Sequence, residues 1–293
     1  MTINFRLKSL LMISAALVLT AALSLTAYPD LAEAKSAQGK LYLVGLGSGD
    51  PDNMTIRAHK IITKADVILG MKYVEEKYKE LFKGKQFHDA GHMLFVDKSI
   101  KVKGLDKKRL NRLGSPEKLK ARQEKIRRIV RESVAKGKIV AVVAGGDPML
   151  FSPHTGFLEE FADLKPEVVP GLSCFNAANA ALKVSPNKGY ASHSVILTST
   201  MPARMGYKGK DTLEALGKTQ SSMVFFTMRL DLPAVVADLK KNYPGNTPIA
   251  IVLHAGYRDR EKVKIATLDT ILDQLKDKKL PFEHLIYVGD FLK

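Results

Sequence analysis

Beyond Gln38 the chain alternates short runs of β-branched and other apolar residues with stretches whose apolar positions recur every three or four residues, the pattern of layered α/β structure. Leu41-Tyr42-Leu43-Val44 reads as a strand, a glycine turn follows, and Met54 to Lys64 reads as a helix with Ile56, Ile61 and Ile62 available to one side. Val67-Ile68-Leu69 is a second strand. Ser115 stands as the N-cap and Pro116 in the first turn of a later helix whose Leu119, Ile126, Val130 and Val134 share a face. The apolar run Ile139 to Val143 leads into Ala144-Gly145-Gly146-Asp147-Pro148, and Glu167-Val168-Val169 leads into Pro170-Gly171-Leu172-Ser173. Strand-to-glycine-turn junctions of this kind are where an open α/β sheet puts its ligands. Apolar runs at 195–197, 223–226, 249–253 and 285–288 predict a second sheet, covered by helices at 232–240 and 268–275.

The first 34 residues break this pattern. Arg6 and Lys8 precede an uncharged run from Ser9 to Ala27, and Ala32-Glu33-Ala34 has the small-x-small form of a cleavage site. Residues 1–34 are therefore expected to be a signal peptide, and the mature chain, starting near Lys35, an exported and periplasmic protein. The same run is long enough to span a bilayer uncleaved, so the alternative is a membrane anchor. Two domains are expected after it, an N-terminal α/β domain over 40–170 and a C-terminal one over 171–293.

Composition adds exclusions and one bias. In 293 residues, 45% hydrophobic and 26% charged content excludes a disordered, collagen-like or polytopic membrane chain. The single cysteine, Cys174, makes no internal disulfide, so stability comes from a buried core. The formal charge of +16 favours an anionic partner, which by charge alone is nucleic acid, acidic lipid or a polycarboxylate. The excess is local: Lys98 to Lys138 holds sixteen Lys or Arg against four Asp or Glu. That stretch is either a solvated helix face with its loop or a surface that binds anions.

Two motifs invite a cofactor or a metal. The turn Gly45-Leu46-Gly47-Ser48-Gly49-Asp50-Pro51 approaches a dinucleotide fingerprint, but its third glycine comes one residue early and no acidic residue closes the second strand; Asp66 precedes it. A tight strand-to-helix turn explains the glycines as well. His88 and His92, with Asp89 between them, are spaced to meet on one helical turn, but Gly91 weakens such a helix and no third ligand is evident. No metal site is expected.

Three junctions together say more. Gly45 to Pro51 followed by Thr55-Ile56-Arg57-Ala58, then Ala144 to Pro148, then Glu167 to Ser173, resemble the ordered motifs of the tetrapyrrole methylases, S-adenosylmethionine-dependent enzymes of sirohaem and cobalamin synthesis. The resemblance continues through Ser222 to Phe226, Thr247-Pro248-Ile249-Ala250 and Val288-Gly289-Asp290. It implies two α/β domains with the cofactor in the cleft between them, and a homodimer. Gly145, Gly146 and Asp147 would bind S-adenosyl-L-methionine, with Leu150 packing on it, Ser173 and Cys174 touching it, and Gly256 closing the adenine side. The first loop, Gly47, Ser48, Gly49 and Asp50, would meet the substrate. An N-cap role for Asp147 is the alternative reading of that carboxylate.

The resemblance implies methylation of an anionic tetrapyrrole, and no nucleic acid is expected as partner although relatives acting on ribosomal RNA share the fold. Uroporphyrinogen-type members carry a tyrosine-aspartate pair after the second strand, where this chain has Gly70-Met71, and usually a proline at Ser48. Methionine cannot take a proton. The expectation therefore moves to precorrin-like or cobalt-precorrin-like substrates, with no catalytic residue assigned. The alternative is an exported tetrapyrrole carrier on the same fold without methylation activity.

Overall fold

A computed structural model describes residues 39–95, 115–189, 192–199, 209–227, 230–276 and 279–293. The segment read as a signal peptide and residues 98–114 of the basic stretch lie outside the described residues. Gly39 to Lys293 form one compact unit built on two five-stranded sheets. Among the described residues no helix is long and apolar enough to cross a membrane.

The first sheet joins β1 (Lys40–Gly45), β2 (Val67–Gly70), β3 (Gln86–Asp89), β4 (Ile139–Ala144) and β5 (Glu167–Val169) in the order β3-β2-β4-β1-β5, every pair parallel. Parallel strands are buried on both faces, which is why β2 and β4 are nearly continuous apolar runs. Alternate residues divide between the two faces. Leu41, Leu43, Leu69, Val140 and Val142 pack with Ile126 and Val130 of a 20-residue helix, α3 (Pro116–Ala135). Val44, Ile68, Ala141 and Val143 pack on the other side with Ala58 and Ile62 of α1 (Ile56–Lys64) and Val74 of the short α2 (Lys72–Lys77). Each such aliphatic side chain, fully buried, contributes about 1.5–3 kcal/mol.

The second sheet is mixed. β6 (Val195–Thr198) runs parallel to β7 (Ser222–Phe226), whereas β8 (Pro248–Leu253), β9 (Lys262–Thr267) and β10 (His284–Val288) pair antiparallel, in the order β6-β7-β10-β8-β9. Met223, Phe225, Ile251 and Ile286 face a helix over Leu232–Leu239, and Val224, Val252 and Tyr287 face another over Cys174–Leu182.

The helix ends follow their caps. Ser115 Oγ accepts from the Lys118 amide at 3.3 Å, so α3 begins where its N-cap predicts. α1 begins at Ile56 and not at Met54, because Thr55 Oγ1 accepts from the Ala58 amide at 3.1 Å and fixes the start. The helix expected over 268–275 shortens to Ile271–Leu275, since the amides of Leu268 and Asp269 bond the carbonyls of Thr247 and Gly245 instead. On α3, Arg122, Arg127 and Arg131 pair with Asp89, Glu160 and Asp163, which makes the described half of the basic stretch a solvated, partly neutralised face.

Candidate active site

The carboxyl ends of β1, β4 and β5 meet so closely that only backbone fits between them. Gly146 N donates to Gly47 O at 2.9 Å, and Gly47 N returns a bond to Gly146 O at 3.3 Å. A Cβ at Gly45 would lie 2.6 Å from Gly171 N, and one at Gly171 only 2.1 Å from Gly146 O. The far side of the same turn is open: a Cβ on Gly146 would meet nothing within 4 Å, and one on Gly145 only the Tyr73 hydroxyl at 3.5 Å. Gly146 holds φ at +72°, which glycine adopts without strain. The junctions thus lock together behind and bare main chain in front.

In front lies a cavity of about 280 Å³. Gly47, Ser48 and Gly49 line it from the first loop, Gly145, Gly146, Asp147 and Leu150 from the second, and Ser173 and Cys174 from the third. Asp147 Oδ1 accepts from Met149 N at 2.8 Å and Oδ2 from Gly171 N at 3.3 Å, so the carboxylate closes its own turn and ties it to the third junction. It caps no helix, since the next one, Gly156–Glu160, starts after Thr155. Ser173 caps the helix over Cys174–Leu182, its Oγ accepting from Asn176 N at 3.4 Å. Burial pushes the Cys174 thiol up to about 11, so it stays protonated and unreactive near neutral pH.

Two expected site residues stand outside this lining. Asp50 donates its amide to Gly256 O at 2.9 Å and accepts from Arg258 N through Oδ2 at 3.0 Å. A Cβ on Gly256 would lie 2.9 Å from Ser48 O. Asn53 Nδ2 donates to Ser48 O at 2.9 Å and to Gly256 O at 3.0 Å. Asp50 and Gly256 therefore form a seam between the first loop and the loop after β8, joined by hydrogen bonds, and neither lines the cavity. The histidine pair is also placed differently: His88 is on β3, where burial lowers its affinity for a proton, and His92 is in the next turn on the cavity wall, so no helical turn joins them.

The opposite wall is made of side chains. Met71, Tyr73 and Lys77 reach it from the segment after β2, His254 and Tyr257 from the loop after β8, and Phe282 and Glu283 from the approach to β10. Lys77 Nζ donates to Gly49 O and, at 3.0 Å, to Tyr257 Oη; the Tyr257 hydroxyl donates to Glu283 Oε1 at 3.1 Å. Glu283 Oε2 lies 3.0 Å from His254 Nδ1 and 3.5 Å from Arg260. Burial holds Lys77 below the ordinary amine range, against the opposing pull of Glu283 and Asp50. Desolvation of the hydroxyl and then the Glu283 charge raise Tyr257 and, although much of its side chain is exposed, Tyr73 as well. Nothing local in the sequence marks Lys77 or Glu283; Tyr257 has one signal, its place just after a central strand.

Residues 40–272 match the model of the tetrapyrrole (corrin/porphyrin) methylases. The chain belongs to that family. Among tetrapyrrole methylases it is 30% identical over 258 residues to the cobalt-precorrin-4 C(11)-methyltransferase of Methanocaldococcus jannaschii, covering 86% of this chain and 88% of that one. It is 27% identical to the uroporphyrinogen-III C-methyltransferase of Bacillus subtilis, covering 86% and 90%. A solved cobalt precorrin-4 methyltransferase superposes with a TM-score of 0.68 at 21% identity, over 88% of this chain and 98% of the other. The Thermus thermophilus uroporphyrin-III C-methyltransferase, complexed with S-adenosylhomocysteine, superposes at 0.59 and 22% identity over 87% and 99%. At those identities the structures establish the shared fold. Tetrapyrrole methylases use S-adenosylmethionine, and the bared Gly145-Gly146 turn is a cradle that fits it: a Cβ there would project into the space a ligand needs.

Proposed function

We propose that the chain is an S-adenosylmethionine-dependent C-methyltransferase acting on an anionic tetrapyrrole of the precorrin or cobalt-precorrin kind. The observation that carries this reading is the convergence of three glycine junctions behind a turn whose main chain faces the cavity. Gly145, Gly146, Asp147, Leu150 and Ser173 would hold the cofactor. Amides and a carboxylate suit its carboxylate, hydroxyl and ammonium groups. When bound, S-adenosylmethionine supplies an electrophilic methyl group and departs as a neutral thioether. The remaining task is alignment, and holding two reactants in line is worth effective molarities of about 10⁵ M or more.

The side-chain wall suits a flat, carboxylate-bearing partner. Phe282 is 78% exposed and Tyr73 58% exposed at the cavity, apolar area that a macrocycle face would cover. Lys77 and Arg260 put positive charge beside them, and the formal +16 of the chain draws carboxylates from a distance. Met71 on the cavity wall stands where uroporphyrinogen-type members carry the tyrosine-aspartate pair, which supports a corrin-pathway substrate over uroporphyrinogen III.

Labelled S-adenosylmethionine offered with cobalt-precorrin-4 and, separately, uroporphyrinogen III tests the reading by mass spectrometry of the products. A gain of one methyl on the cobalt-precorrin is expected. Transfer to uroporphyrinogen III alone would overturn the substrate class, and no calorimetric signal with S-adenosylhomocysteine would overturn the enzyme. The reading includes a homodimer, checked by light scattering, and an exported mature chain starting near Lys35, checked by N-terminal sequencing.

A further inference from the structure

The glycine wall contains no group suited to take up a proton from a substrate, because Asp147 is occupied by two amides and Cys174 is a protonated thiol. C-methylation requires one. The macrocycle uses a π electron pair for the new C–CH₃ bond and becomes a cation. It returns to neutral by losing one N–H or C–H proton, whose bonding pair stays on the ring.

We infer that His254 is the proton acceptor of this site, with Glu283 as its positioning residue. The inference rests on the methyltransferase reading above. Antiparallel pairing of β8 with β10 runs one step past β8, where His254 N donates to Glu283 O at 2.9 Å, so the two residues are set opposite each other by register. His254 then takes a left-handed φ of +50°, unusual for a residue with a Cβ, and its side chain both lines the cavity and reaches Glu283 Oε2 at 3.0 Å through Nδ1. A carboxylate can only accept, so Nδ1 carries the hydrogen and Nε2 keeps the lone pair. No described residue bonds Nε2. A histidine oriented through one ring nitrogen by a carboxylate, with the other nitrogen free to act, is the arrangement of a general base.

The surroundings hold this pair in place and set its charge. Tyr257 donates to Glu283 Oε1 and is itself fixed by Lys77, whose Nζ also grips Gly49 O in the loop expected to meet the substrate. Arg260 lies over the Tyr257 ring at 3.8 Å and 3.5 Å from Glu283; Tyr73, His92 and His284 line the same cavity, and Glu261 accepts from the Gly256 amide close by. A proton taken by Nε2 makes an imidazolium beside Glu283, and water carries the proton away.

The test uses the full chain with cobalt-precorrin-4 and S-adenosylmethionine. In the wild type, kcat/KM should fall on the acid side as one group protonates. His254→Gln should lower kcat about 100-fold or more and remove that limb, with S-adenosylhomocysteine affinity kept within about threefold. Added imidazole should restore rate to His254→Gly, a readout that separates lost chemistry from lost folding. Glu283→Gln should lower kcat with S-adenosylhomocysteine affinity kept within about threefold, because the ring loses the carboxylate that orients it through Nδ1. Independently of activity, ¹⁵N shifts of the His254 ring should report an Nδ1–H tautomer in the wild type and a mixture in Glu283→Gln. If the wild type binds S-adenosylhomocysteine but methylates no tetrapyrrole, the functional reading falls and the base with it. An active wild type whose limb survives His254→Gln overturns the base alone, as does a loss of S-adenosylhomocysteine binding in that variant with the limb intact, which would make the nitrogen a cofactor contact.

Discussion

The two walls of the cavity are built on opposite principles. One is backbone, three glycine junctions packed so tightly that a methyl group at Gly171 would fall 2.1 Å from a carbonyl oxygen. The other is side chain, a chain of donors and acceptors running from Lys77 through Tyr257 and Glu283 to His254. A backbone wall offers amides and empty space with no freedom to move and little to titrate. A side-chain wall offers charge and proton transfer, at the cost of ordering long residues. Binding a common cofactor suits the first, and handling a substrate that must change charge suits the second.

The division is broken or sharpened by substitutions on each side. The largest effect is expected at Gly145→Val, where φ is not left-handed and a Cβ meets only the Tyr73 hydroxyl at 3.5 Å: it should weaken S-adenosylhomocysteine binding about 100-fold or more, roughly 3 kcal/mol, while circular dichroism stays native. Undiminished affinity would take the turn out of the binding wall.

Acid should act next, from beneath the second loop. His154 is fully buried, neither ring nitrogen has a hydrogen-bond partner among the described residues, and burial, then nearby His92, push it from 6.5 down to about 4. The unfolded chain takes up this proton as pH falls below 6.5 and the folded chain does not. The contribution is therefore constant above that pH and lost at about 1.4 kcal/mol per unit below it, about 3 kcal/mol by pH 4. Urea midpoints of His154→Leu should show a shallower acid slope than the wild type, with stability at pH 7 equal or higher, since an unpartnered buried polar group is removed.

Gly171→Ala should cost about 2–3 kcal/mol in thermal unfolding, because its new Cβ displaces the Gly146 carbonyl and not a flexible side chain. It should also lower cofactor affinity, linking the stability of this wall to its function. Asn53→Ala removes both side-chain bonds across the seam and should cost about 1–2 kcal/mol. Smallest is Asp163→Asn, which cuts the pair with Arg131 on the solvated face of α3 and should leave the thermal midpoint almost unchanged, and wholly so in salt. A large effect there would mean that the α3 face packs against something.

The backbone wall is the legible one. Apolar runs announce β1, β2, β4, β6, β7, β8 and β10, and a glycine pair straight after a buried strand marks a ligand turn. No apolar run announces β3 or β9; both are edge strands, bonded on one side only, a position that permits polar residues although the edge strand β6 keeps an apolar run. Edges tolerate polar and lysine-bearing segments, so Gln86–Asp89 carries few apolar residues and Lys262–Thr267 leaves even Val263 and Ile265 exposed. Asp50 is expected at the substrate and Gly256 at the cofactor; that their two loops instead bond each other is a property of tertiary packing. The side-chain wall is not legible. Lys77 and Tyr257 are 180 positions apart, and only the register of β8 against β10 sets Glu283 opposite His254.

The seam at Asp50 and Gly256 has a dynamic consequence. The amides of Asp50 and Arg258 each donate across it, to Gly256 O and to Asp50 Oδ2, although Asp50 and Arg258 are 208 positions apart. Parting of the loops breaks both bonds at once, so the two amides should share a slow exchange process set by that opening, the exposed Arg258 amide having a faster route besides through rotation of the Asp50 side chain. The rim of the cavity would then behave as one cooperative unit, and a ligand that bridges the walls would slow both amides together.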